Sequence, residues 1–183
     1  MTDPHPDSDP APHMALSTGP DDWQALVASL GLQAHPEGGY YREVFRSDLQ
    51  VPFHGASRCA GTSIYYLLAQ GAYSAWHRID ADETWYFHTG GPLELYVLSP
   101  EGDLRVHRLG DPRHHPGAVF QAMVAAGCWF AAKPAMPGDF ALVGCAVAPG
   151  FEFRGFQLAV TADMEPAIRR HGDWVRSLLK QPG

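Results

Sequence analysis

The sequence predicts an all-β domain, either a sandwich or a closed barrel. Short runs of alternating or continuous hydrophobicity recur from Tyr40 to Val160, punctuated by turns rich in Gly, Pro and Asp. No helical stretch of roughly 10–15 residues, such as a parallel α/β sheet requires between strands, interrupts those runs. The 183 residues, 45% of them hydrophobic, are enough for one domain with a sizeable apolar core.

Met1 to Pro20 reads as a disordered leader, with five prolines from Pro4 to Pro20 set among Asp and His and little apolar surface to offset the entropy of ordering. From Asp21 the pattern turns helical: Trp23, Leu26, Val27 and Leu30 fall on one face, acids occupy the first turn, and Gly31 ends it. A single domain over 21–183 follows, its barrel core at about 40–160. His35-Pro36-Glu37-Gly38-Gly39 is a turn. Tyr40 to Ser47 alternates as a strand, with Tyr40, Arg42, Val44 and Arg46 on one side and Tyr41, Glu43 and Phe45 on the other. Gln50 to Gly61 reads as a polar loop, and Thr62 to Leu68 as a strand closed by Gly71.

Further strands are expected at Pro92–Leu98, Leu104–Leu109, Val119–Val124, Cys128–Ala132, Phe140–Val147 and Phe151–Val160. The tail from about Met164 to Leu179, broken near Gly172, reads as one or two short helices packed outside a sheet.

A formal charge of -7 argues against non-specific affinity for nucleic acid or an anionic membrane. Cys59, Cys128 and Cys145 show no ligand-like pairing and read as buried thiols in a reducing compartment. No apolar run approaches the ~20 residues of a membrane span, and the acidic, proline-rich start does not resemble a signal peptide. A cytoplasmic protein is the expectation. There is no Gly-rich phosphate loop, HExxH or GxSxG motif.

The chemistry concentrates in Gly71 to Gly90, two aromatic-rich segments joined by a polar turn, with His77 before the turn and Glu83 just after it. This stretch resembles the first cupin motif. Gly71, His77, Glu83 and Gly90 hold its positions at the right separations, while Ile79 stands where a second histidine is usual. Around Gly127 the chain resembles the second cupin motif, with Ala125 in place of its proline and Phe130 in place of its metal-binding histidine.

Pro36 to Glu43, Thr62 to Leu68, Trp76-His77-Arg78, Asp82-Glu83, Gly91 to Glu94, Val143-Gly144-Cys145 and Pro149 to Phe153 together resemble a family of cupin-like proteins of unknown function, the DUF985 type. The resemblance implies a double-stranded β-helix, the cupin or jelly-roll barrel, with short N- and C-terminal helices, in a homodimer. Its fold is similar to that of sugar-nucleotide epimerases and germin-like proteins.

Within such a barrel His77 and Glu83 would pair, tuning the imidazole for general acid–base work, with Tyr65 as a phenolic proton donor. Glu37, Arg42, Arg46, Ser63, Ser74 and Trp85 are the expected ligand-binding residues, the two arginines facing an anion. The function expected is binding of a small polar or anionic metabolite such as a phosphosugar, sugar nucleotide or carboxylate, with epimerase or isomerase chemistry. Non-catalytic ligand binding is an alternative. A third is a metal-dependent enzyme holding one divalent ion on His77 and Glu83, although two of the four usual ligands are apolar here.

Overall fold

Trp23, Leu26, Val27 and Leu30 share one face of the first helix, α1 (Asp22–Leu30), and pack on Leu32, Leu67, Ala69 and Leu142 of the sheet beneath. The computed structural model describes residues 22–69 and 71–180, so the leader expected at 1–20 lies outside the described residues. The strands that follow are β1 (Gln33–Ala34), β2 (Tyr40–Arg46), β3 (Gln50–Phe53), β4 (Ala56–Cys59), β5 (Thr62–Ala69), β6 (Ser74–Ile79) and β7 (Asp82–Gly90). Then come β8 (Leu93–Leu98), β9 (Leu104–Leu109), β10 (Gln121–Val124), β11 (Trp129–Pro134), β12 (Phe140–Ala148) and β13 (Phe156–Leu158). The chain ends in α2 (Thr161–His171) and a 3-10 segment, Asp173–Leu178, with Gly172 at φ 102° making the break between them.

The strands form three sheets. Six lie in the order β1-β2-β5-β12-β7-β10, five in the order β13-β6-β11-β8-β9, and β3 pairs with β4 alone. Tyr66, Leu68, Trp85, Leu95, Phe130 and Val143 form the main core between the two larger sheets. The even-numbered face of β5 (Thr62, Ile64, Tyr66, Leu68) supplies that interior, while Ser63, Tyr65 and Leu67 point the other way, as strand alternation requires. On the far side of the five-stranded sheet Trp76, Tyr96 and Leu98 are covered by Met164, Ile168, Val175 and Leu178 of the C-terminal segments.

The expected closed barrel is corrected here. Among the described residues, no sheet closes on itself into a double-stranded β-helix, cupin barrel or jelly roll; the fold is mixed α and β with three separate sheets. The first sheet ends at β1 and β10 and the second at β13 and β9, and these edges do not exchange a strand-to-strand ladder. The two layers are joined by side-chain packing and, at one corner, by a bridge between Leu109 and Val119, where the Gly110 N–H donates to the Val119 carbonyl at 3.0 Å and the Val119 N–H to the Arg108 carbonyl at 2.9 Å.

Two local expectations also change. Gln50 to Gly61, read as a polar loop, is the β3–β4 hairpin, turned through His54 (φ 48°) and Gly55 (φ 78°), the paired positive values of a two-residue hairpin turn. Arg58 of this hairpin donates to both oxygens of Asp80 at 2.6 and 2.9 Å and stacks on Phe53, pinning it to the β6–β7 turn. Phe151 to Val160, read as a strand, is a 3-10 turn at Phe153–Gly155 followed by the short β13. No described helix is long and apolar enough to cross a membrane.

Candidate functional site

The turn before β2 brings Glu37 into the interior. Gly38 (φ 120°) and Gly39 (φ 71°) adopt backbone angles that other residues avoid. A Cβ at Gly38 would collide with the Tyr73 carbonyl oxygen, and one at Gly39 would sit 2.5 Å from the Leu67 carbonyl oxygen. The turn is thereby pressed against β5 and the start of β6. The Ala75 N–H donates to the Glu37 carbonyl at 3.1 Å, and the buried Tyr66 hydroxyl donates to the Gly38 carbonyl at 2.8 Å.

The Glu37 carboxylate is then held from two sides. Ser74 Oγ donates to its Oε1 at 2.8 Å, and His77 Nε2 lies 3.2 Å from its Oε2. Ser74 and His77 are three residues apart and would face opposite ways on a regular strand. The β6–β11 register slips between the Ser74–Ala132 and His77–Phe130 pairs, and this bulge lets both side chains reach Glu37. Ser74 and Glu37 are buried along with His77.

His77 is oriented through its other nitrogen. Nδ1 lies 2.7 Å from the Ala75 carbonyl oxygen, which only accepts, so Nδ1 carries a proton. Nε2 is therefore the nitrogen that faces Glu37. His35 stands beside them, its Nδ1 3.8 Å from Glu37 Oε1. Its Nδ1 accepts the Glu37 N–H at 3.3 Å, and burial foremost holds its basicity below the usual histidine range.

Glu83, at the start of β7 opposite Val124 and Val147, faces the same space. Its carboxyl is pushed up to about 8, by burial first and by the Glu37 charge second. The Cys145 thiol and the Trp85 indole N–H favour its charged form but are outweighed. Trp85 Nε1 is buried with no partner at hydrogen-bond geometry. These groups line a cavity of about 500 Å³. Its walls are Tyr41, Ile64, Ile79 and Val147, with Phe151, Phe153 and Phe156 from the segment before β13; Glu43, Arg46 and Glu152 complete the lining.

The residues expected from sequence divide as follows. His77, Glu83, Glu37 and Arg46 line the cavity, and Ser74 supports it from behind. The expected His77–Glu83 pair is replaced by a His77–Glu37 pair. Tyr65 lies on the outer face, against His88 and under the Arg42 guanidinium at 6.0 Å, and Ser63 shares that face. Arg42 and Arg46 part company because a bulge between Glu43 and Phe45 turns Arg46 to the interior while Arg42 stays outside. Trp85 is core, edge-on to Tyr66 and Phe130 at 5.8 and 6.3 Å. Sequence reasoning did not find His35, Cys145 or the three phenylalanines; the Pro36-Glu37-Gly38-Gly39 turn was the signal for Glu37.

The residues do not fit the divalent ion that the motif resemblance offers. The Phe130 ring, fully buried and 3.9 Å from the His77 ring, fills one ligand position, and Ile79 fills another. His77 has one nitrogen committed to a carbonyl and the other to Glu37. Among the described residues, no group of three or more His, Cys, Asp or Glu side chains is arranged to hold a metal ion.

The family model described as Cupin superfamily (DUF985) matches residues 24–159. The chain belongs to this family. Two solved structures overlay closely. A hypothetical protein from Leishmania major is 31% identical with a TM-score of 0.78, over 86% of this chain and 98% of that one. A protein from Shewanella oneidensis is 37% identical with a TM-score of 0.77, over 87% and 98%. Oxalate decarboxylase from Bacillus subtilis shares the fold alone, at 15% identity and a TM-score of 0.51, over 82% of this chain and 40% of that one. No curated protein matches the chain. This cupin-family protein thus carries a buried His35–Glu37–His77 network at a cavity.

Proposed function

We propose that the cavity binds a small polar metabolite and moves a proton on it, as an isomerase or epimerase does at a C–H beside a carbonyl. One observation carries this reading: two different acid–base units face one cavity. His77 Nε2 lies 3.2 Å from the Glu37 carboxylate, while Glu83, with no cationic partner among the described residues, holds its own proton up to about 8. A carboxylate this basic abstracts a carbon-bound proton more readily than an ordinary one, since general-base strength follows pKa. The C–H proton passes to Glu83, its bonding electrons become the enolate, and the His77 Nε2–H hydrogen-bonds the oxygen where negative charge collects. Return of a proton from Glu83 to the same carbon, after the carboxyl has exchanged with solvent, completes the exchange; transfer to a neighbouring carbon bearing a hydroxyl would further need that O–H proton to pass through His77 to the enolate oxygen. Ser74 and the Ala75 carbonyl act as positioning groups for Glu37 and His77. A second reading, ligand binding without turnover, is favoured by the wall of Phe151, Phe153 and Phe156, which seats a ring without doing chemistry.

A thermal-shift screen of sugars, keto compounds and small carboxylates, followed by incubation of each hit in deuterated water, tests the two readings. Proton transfer predicts deuterium uptake that rises as pH increases towards 8 and falls by at least ~100-fold in Glu83→Gln and in His77→Asn, with binding retained. A hit that binds in the cavity and exchanges no C–H at any pH selects ligand binding alone.

A further inference from the structure

The geometry points to Glu43 as the residue that sets the charge of the ligand: by holding Arg46 at the cavity rim, it reserves the cavity for ligands without net negative charge. This deepens the reading above and rests on it only for the cavity being the ligand site.

Arg46 is the single arginine among the described lining residues, against four carboxyl side chains, Glu37, Glu43, Glu83 and Glu152. All of its guanidinium nitrogens are already used. Nε donates to Glu43 Oε1 at 3.0 Å and Nη2 to Glu43 Oε2 at 2.7 Å, a bidentate fork that matches the carboxylate plane. Nη1 lies 3.3 Å from Cys59 Sγ, and the Phe151 carbonyl receives both Nη1 and Nη2 at 3.4 and 3.3 Å.

The β2 bulge makes this pairing possible, since Glu43 opposite Ile64 and Arg46 opposite Thr62 both turn inward with Phe45 turned out. The other positive groups are occupied as well. His77 faces Glu37, His35 offers an acceptor nitrogen to a backbone N–H, and Glu152 is held by Arg154. A phosphate or carboxylate entering the cavity would have to break the fork and then face the Glu43 carboxylate it displaced. A hydroxyl or a neutral carbonyl meets neither obstacle and finds the Glu83 carboxyl as a partner.

Inorganic phosphate is the probe, titrated by calorimetry at neutral pH into wild type, Glu43→Gln, Glu43→Ala and the double variant Glu43→Gln/Arg46→Gln, each checked by circular dichroism. Removing the carboxylate frees Arg46 and removes a like charge a few ångströms away, so phosphate is expected to bind both single variants at least about tenfold more tightly than wild type. The double variant should return to the wild-type response. Wild-type binding as tight as that of the single variants, or a gain that survives loss of Arg46, overturns the assignment. The readout needs no turnover. Failure of proton exchange with intact charge discrimination therefore counts against the proton-transfer reading alone.

Discussion

The cavity has a carboxylate beside a nitrogen side chain at each end, Glu37 with His77 inside and Glu43 with Arg46 at the rim, and water separates their behaviour. The inner side chains are 4% and 6% exposed, the outer ones 43% and 38%. At the rim, solvent screens the attraction, and the pair matters chiefly because it keeps a guanidinium occupied. Inside, the same chemistry is costly to separate, since a charge left without its partner cannot be rescued by water. Glu83 belongs to the inner region but has no cation of its own. Its answer to burial is to keep its proton rather than find a partner.

This contrast is open to mutation, and the largest effect belongs to the inner pair. Glu37→Ala strips His77 Nε2 and Ser74 Oγ of their buried partner and should destabilise the fold by about 3–5 kcal/mol in urea unfolding. Next is Glu83, where the sign depends on pH. Its folded-state value of about 8 lies above the ordinary glutamate value of 4.5, so its neutral form is favoured by the fold. That contribution is complete below the unfolded value and is lost as pH rises towards and through about 8. Wild type should therefore lose on the order of a few kcal/mol across that window, and Glu83→Gln should flatten the loss, standing above wild type at the alkaline end. Smallest is the rim: Glu43→Gln should cost only ~0.2–1 kcal/mol in the same unfolding assay, and less at high salt. A rim penalty as large as the inner one would erase the distinction between the two ends.

How far the sequence revealed this arrangement depends on which signal each part leaves in the chain. Alternation along β5 and the long apolar run of β12 mark the core strands, and glycine and proline mark most turns, so element positions are legible. Spacing alone finds His77 and Glu83. The partner of His77 is another matter, because Glu37 arrives from a turn on the far side of β2, the β3–β4 hairpin and β5, and the Gly38 and Gly39 angles allow the approach.

Bulges account for the remaining side-chain errors. An unbroken alternation puts Arg42 and Arg46 together and Ser74 opposite His77, whereas one slip in β2 and one in β6 reverse both relations. Tyr65 shows the rule working without a bulge: one residue from the buried Tyr66, it faces outward. Sheet closure was illegible for a different reason. A hydrophobic pattern tells which residues turn inward, but not which edge strands meet, so a closed barrel and separate packed sheets leave the same trace.

The most direct test is a carbon-13 NMR titration of the Glu83 side-chain carboxyl in the intact protein, assigned by comparison with Glu83→Gln. Burial beside the Glu37–His77 pair predicts a midpoint near 8. A midpoint in the ordinary range near 4.5 would mean that Glu83 is ionised at neutral pH and would contradict the account of the cavity as a site that holds a proton ready for transfer.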